Sequence, residues 1–183
     1  NLSGGAEEVL SGNTLDAIEQ IEGTSVLRAS SQSSASGLLR RQRIDLQEYP
    51  FLNWRWKVDT RLPQRDETTR DGDDYPVRLY VVAGGGLLFW RSKSLNYVWS
   101  RDLASGSTWA NAFAERNVVM FSLRDAQDAT GVWHEEKRNV LEDIHRHLGS
   151  DIRYIVCVAI MTDTDNTESS VESFYGDIYF SAE

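Results

Sequence analysis

Arg55, Lys57 and Arg78 are the cations of this chain whose placement suggests chemistry, and Tyr80 lies two residues beyond the last of them. A guanidinium grips a carboxylate through two parallel hydrogen bonds, and an aromatic ring beside it covers the apolar face of a sugar. If the strands carrying these residues are neighbours, all four share one surface suited to a glycan or another small polar ligand. The competing reading is a set of cross-strand ion pairs with Asp59, Asp73 and Asp74. A second group is the turn Asp163-Thr164-Asp165-Asn166-Thr167. Asp163, Asp165 and Asn166 offer hard oxygen ligands for calcium or contacts for a polar ligand. The turn departs from the EF-hand pattern, with Glu168 where that loop needs Gly and Phe174 where it needs Glu. Asx-type hydrogen bonds explain the same residues without an ion.

Trp99, with Trp90 and Trp109, falls near strand ends and is a further candidate sugar platform. Trp54 and Trp56 alternate with charge and read as core. No G-x-S-x-G elbow surrounds any serine, and Gly84-Gly85-Gly86 lacks the Lys-Ser/Thr of a phosphate loop. His145 and His147, two apart on a helix, point about 200° apart and cannot chelate one ion. The acids Asp66, Glu67, Asp71, Asp73 and Asp74 read as a solvated loop. Cys157, alone in the chain, sits in an apolar run and reads as a small core residue. A non-catalytic binding module therefore ranks first, ahead of an envelope protein-interaction domain. A polysaccharide lyase or hydrolase, with Tyr80 as base, ranks third. No cofactor is required; a structural calcium ion is the one candidate.

Period-two alternation sets the elements. In Leu52-Asn53-Trp54-Arg55-Trp56-Lys57-Val58-Asp59 the apolar residues share one face and the polar ones the other, the mark of a half-buried strand. Further strands are expected at 15–21, 24–30, 38–46, 77–82, 87–91, 95–100, 118–123, 154–162 and 173–181. Val140, Leu141, Ile144 and Leu148 recur at helical spacing before Gly149, which predicts one helix near residues 134–148. The expected fold is all-β: an antiparallel β-sandwich, jelly-roll-like and of the galactose-binding or lectin-like kind, with that helix packed over an edge. Its 183 residues suit a single domain, with residues 1–12 as a loose N-terminal arm.

The chain has 19 Lys and Arg against 28 Asp and Glu, a net charge of −9. That balance repels nucleic acid and anionic membranes unless the cations are focused in one place. No apolar run approaches the roughly 20 residues needed to span a bilayer, so neither nucleic acid nor membrane insertion is expected. Sparing use of cysteine, with abundant Ser, Thr, Asn and Asp, points to a periplasmic or extracellular location.

Several blocks occur together: Ala35-Ser36-Gly37-Leu38, Pro50-Phe51-Leu52-Asn53-Trp54-Arg55-Trp56-Lys57-Val58, Asp73-Asp74-Tyr75-Pro76-Val77-Arg78-Leu79-Tyr80, Leu95-Asn96-Tyr97-Val98-Trp99, Glu136-Lys137-Arg138-Asn139-Val140, Met161 to Thr167 and Tyr175-Gly176-Asp177-Ile178. The set resembles a bacterial domain-of-unknown-function family, number three thousand and forty-seven, from about Leu15 onward. The resemblance implies export and supplies no catalytic residues. A looser likeness links Ile44-Asp45-Leu46 and Gly176-Asp177-Ile178-Tyr179-Phe180 to jelly-roll carbohydrate-binding modules. It implies a structural calcium ligand at Asp177.

Overall fold

The computed structural model describes residues 6–11, 15–21, 23–84, 92–166 and 168–183. Its strands are β1 (Ala6–Ser11), β2 (Leu15–Ile21), β3 (Thr24–Gln32), β4 (Ala35–Asp45), β5 (Phe51–Val58), β6 (Arg78–Ala83), β7 (Lys93–Trp99), β8 (Thr108–Ala110), β9 (Val118–Arg124), β10 (His134–Asn139), β11 (Tyr154–Asp163) and β12 (Ser170–Ser181). Helix α1 spans Val140–His147. One sheet runs β1-β4-β11-β6-β7-β9-β8 and the other β10-β5-β12-β3-β2. All pairings are antiparallel except β7 with β9. The expected β-sandwich is present.

The alternation in β5 does what its pattern requires. Leu52, Trp54, Trp56 and Val58 are buried and the residues between them are not. Trp54 meets Trp56 edge-on at 5.4 Å and lies 5.4 Å from Tyr97 of the opposite sheet. Leu79, Val81, Leu95, Ile155 and Ile160 complete this layer from the seven-stranded sheet. Burying each such side chain stabilises the fold by roughly 1.5–3 kcal/mol.

The helix occupies only the second half of its expected span. His134–Asn139 pairs with β5, His134 opposite Trp56 and Asn139 opposite Phe51. That stretch contains no apolar residue, so hydrophobic periodicity could not separate strand from helix there. Asn139 then caps α1, accepting the Glu142 amide at 3.2 Å while its Nδ2 donates to the Glu142 carboxylate at 2.9 Å. Asn139→Ala should therefore cost about 1 kcal/mol, read as a lower urea midpoint at unchanged slope. Asp143 docks the helix: its carboxylate accepts the Tyr97 hydroxyl at 2.7 Å and two Arg138 donors at 2.6 and 2.9 Å.

The N-terminal arm also differs from expectation. Residues 6–11 pair with β4 as an edge strand, because an unpaired flank of β4 supplies their backbone partners. The strand expected at 87–91, with Trp90, lies outside the described residues.

Candidate functional site

The cations expected to share a face do not. β5 and β6 belong to different sheets, so Arg55 and Lys57 lie on one outer surface and Arg78 on the opposite one. Arg78 is 3% exposed. Its Nη2 donates to the Asp163 carboxylate at 2.6 Å and to the Asp73 carbonyl at 2.8 Å, and Nη1 lies 3.5 Å from the Asp73 carboxylate. Its carbon centre is 4.5 Å from the Tyr75 ring and 5.6 Å from that of Tyr80. Asp73 also accepts Asn111 Nδ2 at 3.1 Å. Burial opposes the charge on Arg78, but Asp163, then Tyr80 and Asp73, outweigh it and hold the cation firmly. Arg78 is therefore the centre of a sealed ionic cluster and not part of an open face. Burial pushes the Tyr80 phenol far up, and its hydroxyl donates to Met161 Sδ at 3.1 Å. Arg78 is sealed from any ligand, and the hydroxyl of half-buried Tyr80 is already engaged.

The acidic turn belongs to the same cluster. Carboxylate oxygens of Asp74, Asp163 and Asp165 lie within 4.8 Å of one another, the kind of set that invites calcium. Yet Asp163 accepts the Tyr75 amide at 2.9 Å with one oxygen and Arg78 with the other. Asp74 accepts the amide and side chain of Asn166 at 3.2 and 2.9 Å. A calcium ion needs six to eight oxygens, and here it would sit against a guanidinium that already supplies the counter-charge. The donor set fits arginine, not an added ion. Asp177 stands apart: at φ 53° it sits in the irregularity of β12 between Gly176 and Tyr179 and pairs with Arg55 at 2.7 Å, so the three residues proposed for metal do not assemble.

Arg55 and Lys57 are also matched internally. Their side chains are 17% and 18% exposed, and Lys57 pairs with Asp59 at 3.1 Å. Arg55 stacks over Trp133 at 4.5 Å and Lys57 over Phe174 at 4.2 Å. Trp99 is 5% exposed; its Nε1 donates to the Asp125 carbonyl at 2.9 Å and its ring meets His134 edge-on at 4.9 Å, so it is no open platform for a sugar. In the acidic loop Asp66 and Asp71 are exposed, as expected, but Glu67, Asp73 and Asp74 are folded inward. Buried Glu67 accepts the Arg101 amide at 2.8 Å and the Ser100 hydroxyl, while Arg101 holds the carbonyls of Asp74 and Gly72 at 2.7 and 2.8 Å.

An open groove lies elsewhere, where β4 and β11 pass over the end of β12. It has a volume of about 330 Å³ and is lined by Arg40, Gln42, Ile44, Tyr49, Val158, Ile178, Tyr179 and Phe180. Leu38 and Ile44 of β4 pack on the core; Arg40, alternating with Leu38, is half-buried on that inward side, and Gln42, at the register shift between Arg41 and Ile44, is exposed beside it. Tyr49 is 47% and Tyr179 53% exposed. The side chains of Arg40 and Gln42 have no polar partner among the described residues. The groove thus combines an apolar floor, two aromatic rings and two free hydrogen-bonding groups. The sequence carried one signal for it: the alternate positions Leu38, Arg40, Gln42, Ile44 and Leu46 are apolar at the ends and polar in the middle.

The family model described as "Protein of unknown function (DUF3047)" matches residues 9–179. No curated protein sequence matches the chain. Among solved structures, a cellulase derived from Cel12A of Rhodothermus marinus is similar with 12% identity and a TM-score of 0.55, over 97% of this chain and 90% of that one. The xyloglucanase domain of NopAA from Sinorhizobium fredii, in complex with cellobiose, aligns at 8% identity and TM-score 0.48, over 98% of each chain. TmCBM61 in complex with β-1,4-galactotriose aligns at 10% identity and TM-score 0.44, over 100% of this chain and 91% of that one. The cellulase likeness shows the fold, a jelly-roll-like β-sandwich, and the fold alone. No described helix is long and apolar enough to cross a membrane.

Proposed function

Because the chain belongs to the DUF3047 family, which brings no activity with it, we propose a function from the geometry: a non-catalytic glycan-binding module. The observation that carries this reading is the groove lined by Tyr49, Tyr179, Arg40 and Gln42. Tyrosine rings cover the apolar face of a sugar, and an amide beside a guanidinium matches its ring of oxygen atoms. The volume sits at the lower end of the roughly 300–1,000 Å³ usual for small-ligand sites, so one or two sugar units would be held. Cellobiose and galactotriose in two of the aligned structures make saccharides the first compounds to try. A periplasmic or extracellular location goes with this reading.

Binding is favoured over catalysis on one point. Glycoside hydrolysis by paired carboxylates needs two such groups beside the bond, and no Asp or Glu is among the described lining residues. Tyr80, the base of the lyase alternative, is half-buried, its phenol proton firmly held.

Calorimetric titration with a panel of neutral and uronate-containing oligosaccharides tests the reading. Saturable heat is expected from at least one compound, with no growth of ultraviolet absorbance from an unsaturated product. Silence across the panel overturns glycan binding, and a rising absorbance overturns its non-catalytic character.

A further inference from the structure

We infer that the ligand of the groove carries a carboxylate, as a uronate-bearing saccharide does, and that Arg40 selects it; the inference rests on the glycan-binding reading above. Arginines drawn into this fold otherwise find an acid. Arg28 meets Glu19 and Glu172, Arg55 meets Asp177, Arg78 meets Asp73 and Asp163, Arg101 meets Glu67, Arg124 meets Asp128 and Glu136, and Arg138 meets Asp143. Arg40 is half-buried among Ile44, Val158, Ile178 and Phe180 and has no such partner among the described residues. With 28 acidic residues in the chain, a counter-ion is not scarce in composition; it is missing at this place.

A partly desolvated guanidinium without an acid is a receptor for one. Its planar fork accepts a carboxylate through two parallel hydrogen bonds, a geometry a neutral hydroxyl cannot supply. Gln42 lies two residues further along β4, past the start of a register shift in its pairing with β11, and lines the same groove. A carboxylate on Arg40 and a hydroxyl on Gln42 can therefore belong to one short saccharide. The remaining difficulty is the net charge of −9, which repels an anionic ligand at long range. β4 offsets it locally, because Arg41 and Arg43 are exposed on the same strand and raise the potential around the mouth of the groove.

The experiment compares matched ligands on the full chain: a galacturonate trisaccharide, the neutral galactotriose and a sulfated galactotriose, titrated at low and at physiological ionic strength. The galacturonate is expected to bind at least about tenfold more tightly than the neutral sugar, with a lead that shrinks in salt. Arg40→Gln should erase that lead while neutral-sugar binding persists. Arg40→Lys, which keeps the charge but loses the fork, should retain only part of it. Neither substitution removes an internal ion pair, so unfolding midpoints serve as the folding control. Equal or better binding of the neutral or sulfated sugar, or a preference that survives Arg40→Gln, overturns the inference and leaves the glycan reading standing. Failure of all three sugars to bind, with the rest of the panel silent, removes both.

Discussion

Arg78→Ala should lower the unfolding free energy by about 3–5 kcal/mol at pH 8, the usual loss when one partner of a buried ion pair is removed. The guanidinium lies 2.6 Å from Asp163 and 3.5 Å from Asp73, with almost no solvent access to any of the three. Its removal strands two carboxylates where water cannot replace the missing charge. The loss must depend on pH. Burial pushes the Asp163 carboxyl up to about 7 against the pull of Arg78, and burial also raises Asp73. The folded protein thus holds these protons more firmly than the unfolded chain. Their contribution to stability is complete below about pH 4, the ordinary carboxylate range, and is lost as pH rises through 7. Without Arg78 both carboxyls keep their protons to higher pH. The variant should lie closest to wild type near about pH 5 and furthest from it above 7. Urea unfolding at the two pH values reads this directly; a loss at pH 8 under about 1 kcal/mol contradicts a sealed ionic cluster.

Tyr49→Ala combined with Tyr179→Ala should weaken glycan binding about 100-fold or more while leaving stability nearly untouched. Buried aromatic anchors each contribute about 2 kcal/mol when they dominate a site, and about 2.8 kcal/mol corresponds to 100-fold. Both rings are roughly half exposed in the free protein, so truncation opens no core cavity and should change stability by about 0.5 kcal/mol or less. Binding and stability therefore separate here, whereas at Arg78 the expected loss is one of stability. A double variant that unfolds, or that binds as wild type does, removes the tyrosines from the site.

The division between what was and was not legible in the sequence follows the range of the forces involved. The alternation around Trp54 and Trp56 is local, and it correctly placed their side chains in the core. The partners of the cations are not local. Arg78 and Asp163 are 85 residues apart in the chain, and the connection from β5 to β6 crosses from one sheet to the other, so sequence proximity wrongly put Arg55 beside Arg78. The same crossing turned an apparent binding face into two sets of internal ion pairs. His134–Asn139 was misplaced for the opposite reason: its alternation is real but written wholly in polar residues. The groove was hidden by Arg41 and Arg43, which interleave with Arg40 and Gln42 and make the whole strand look solvated.

Backbone amide mapping by NMR, adding the tightest-binding sugar of the panel to the labelled protein, addresses the groove itself. Shifts are expected along Arg40 to Ile44 of β4, at Tyr49 and at Ile178 to Phe180 of β12. Shifts gathered instead around Arg55, Lys57, Trp133 and Phe174, on the outer surface of the five-stranded sheet, would contradict the account.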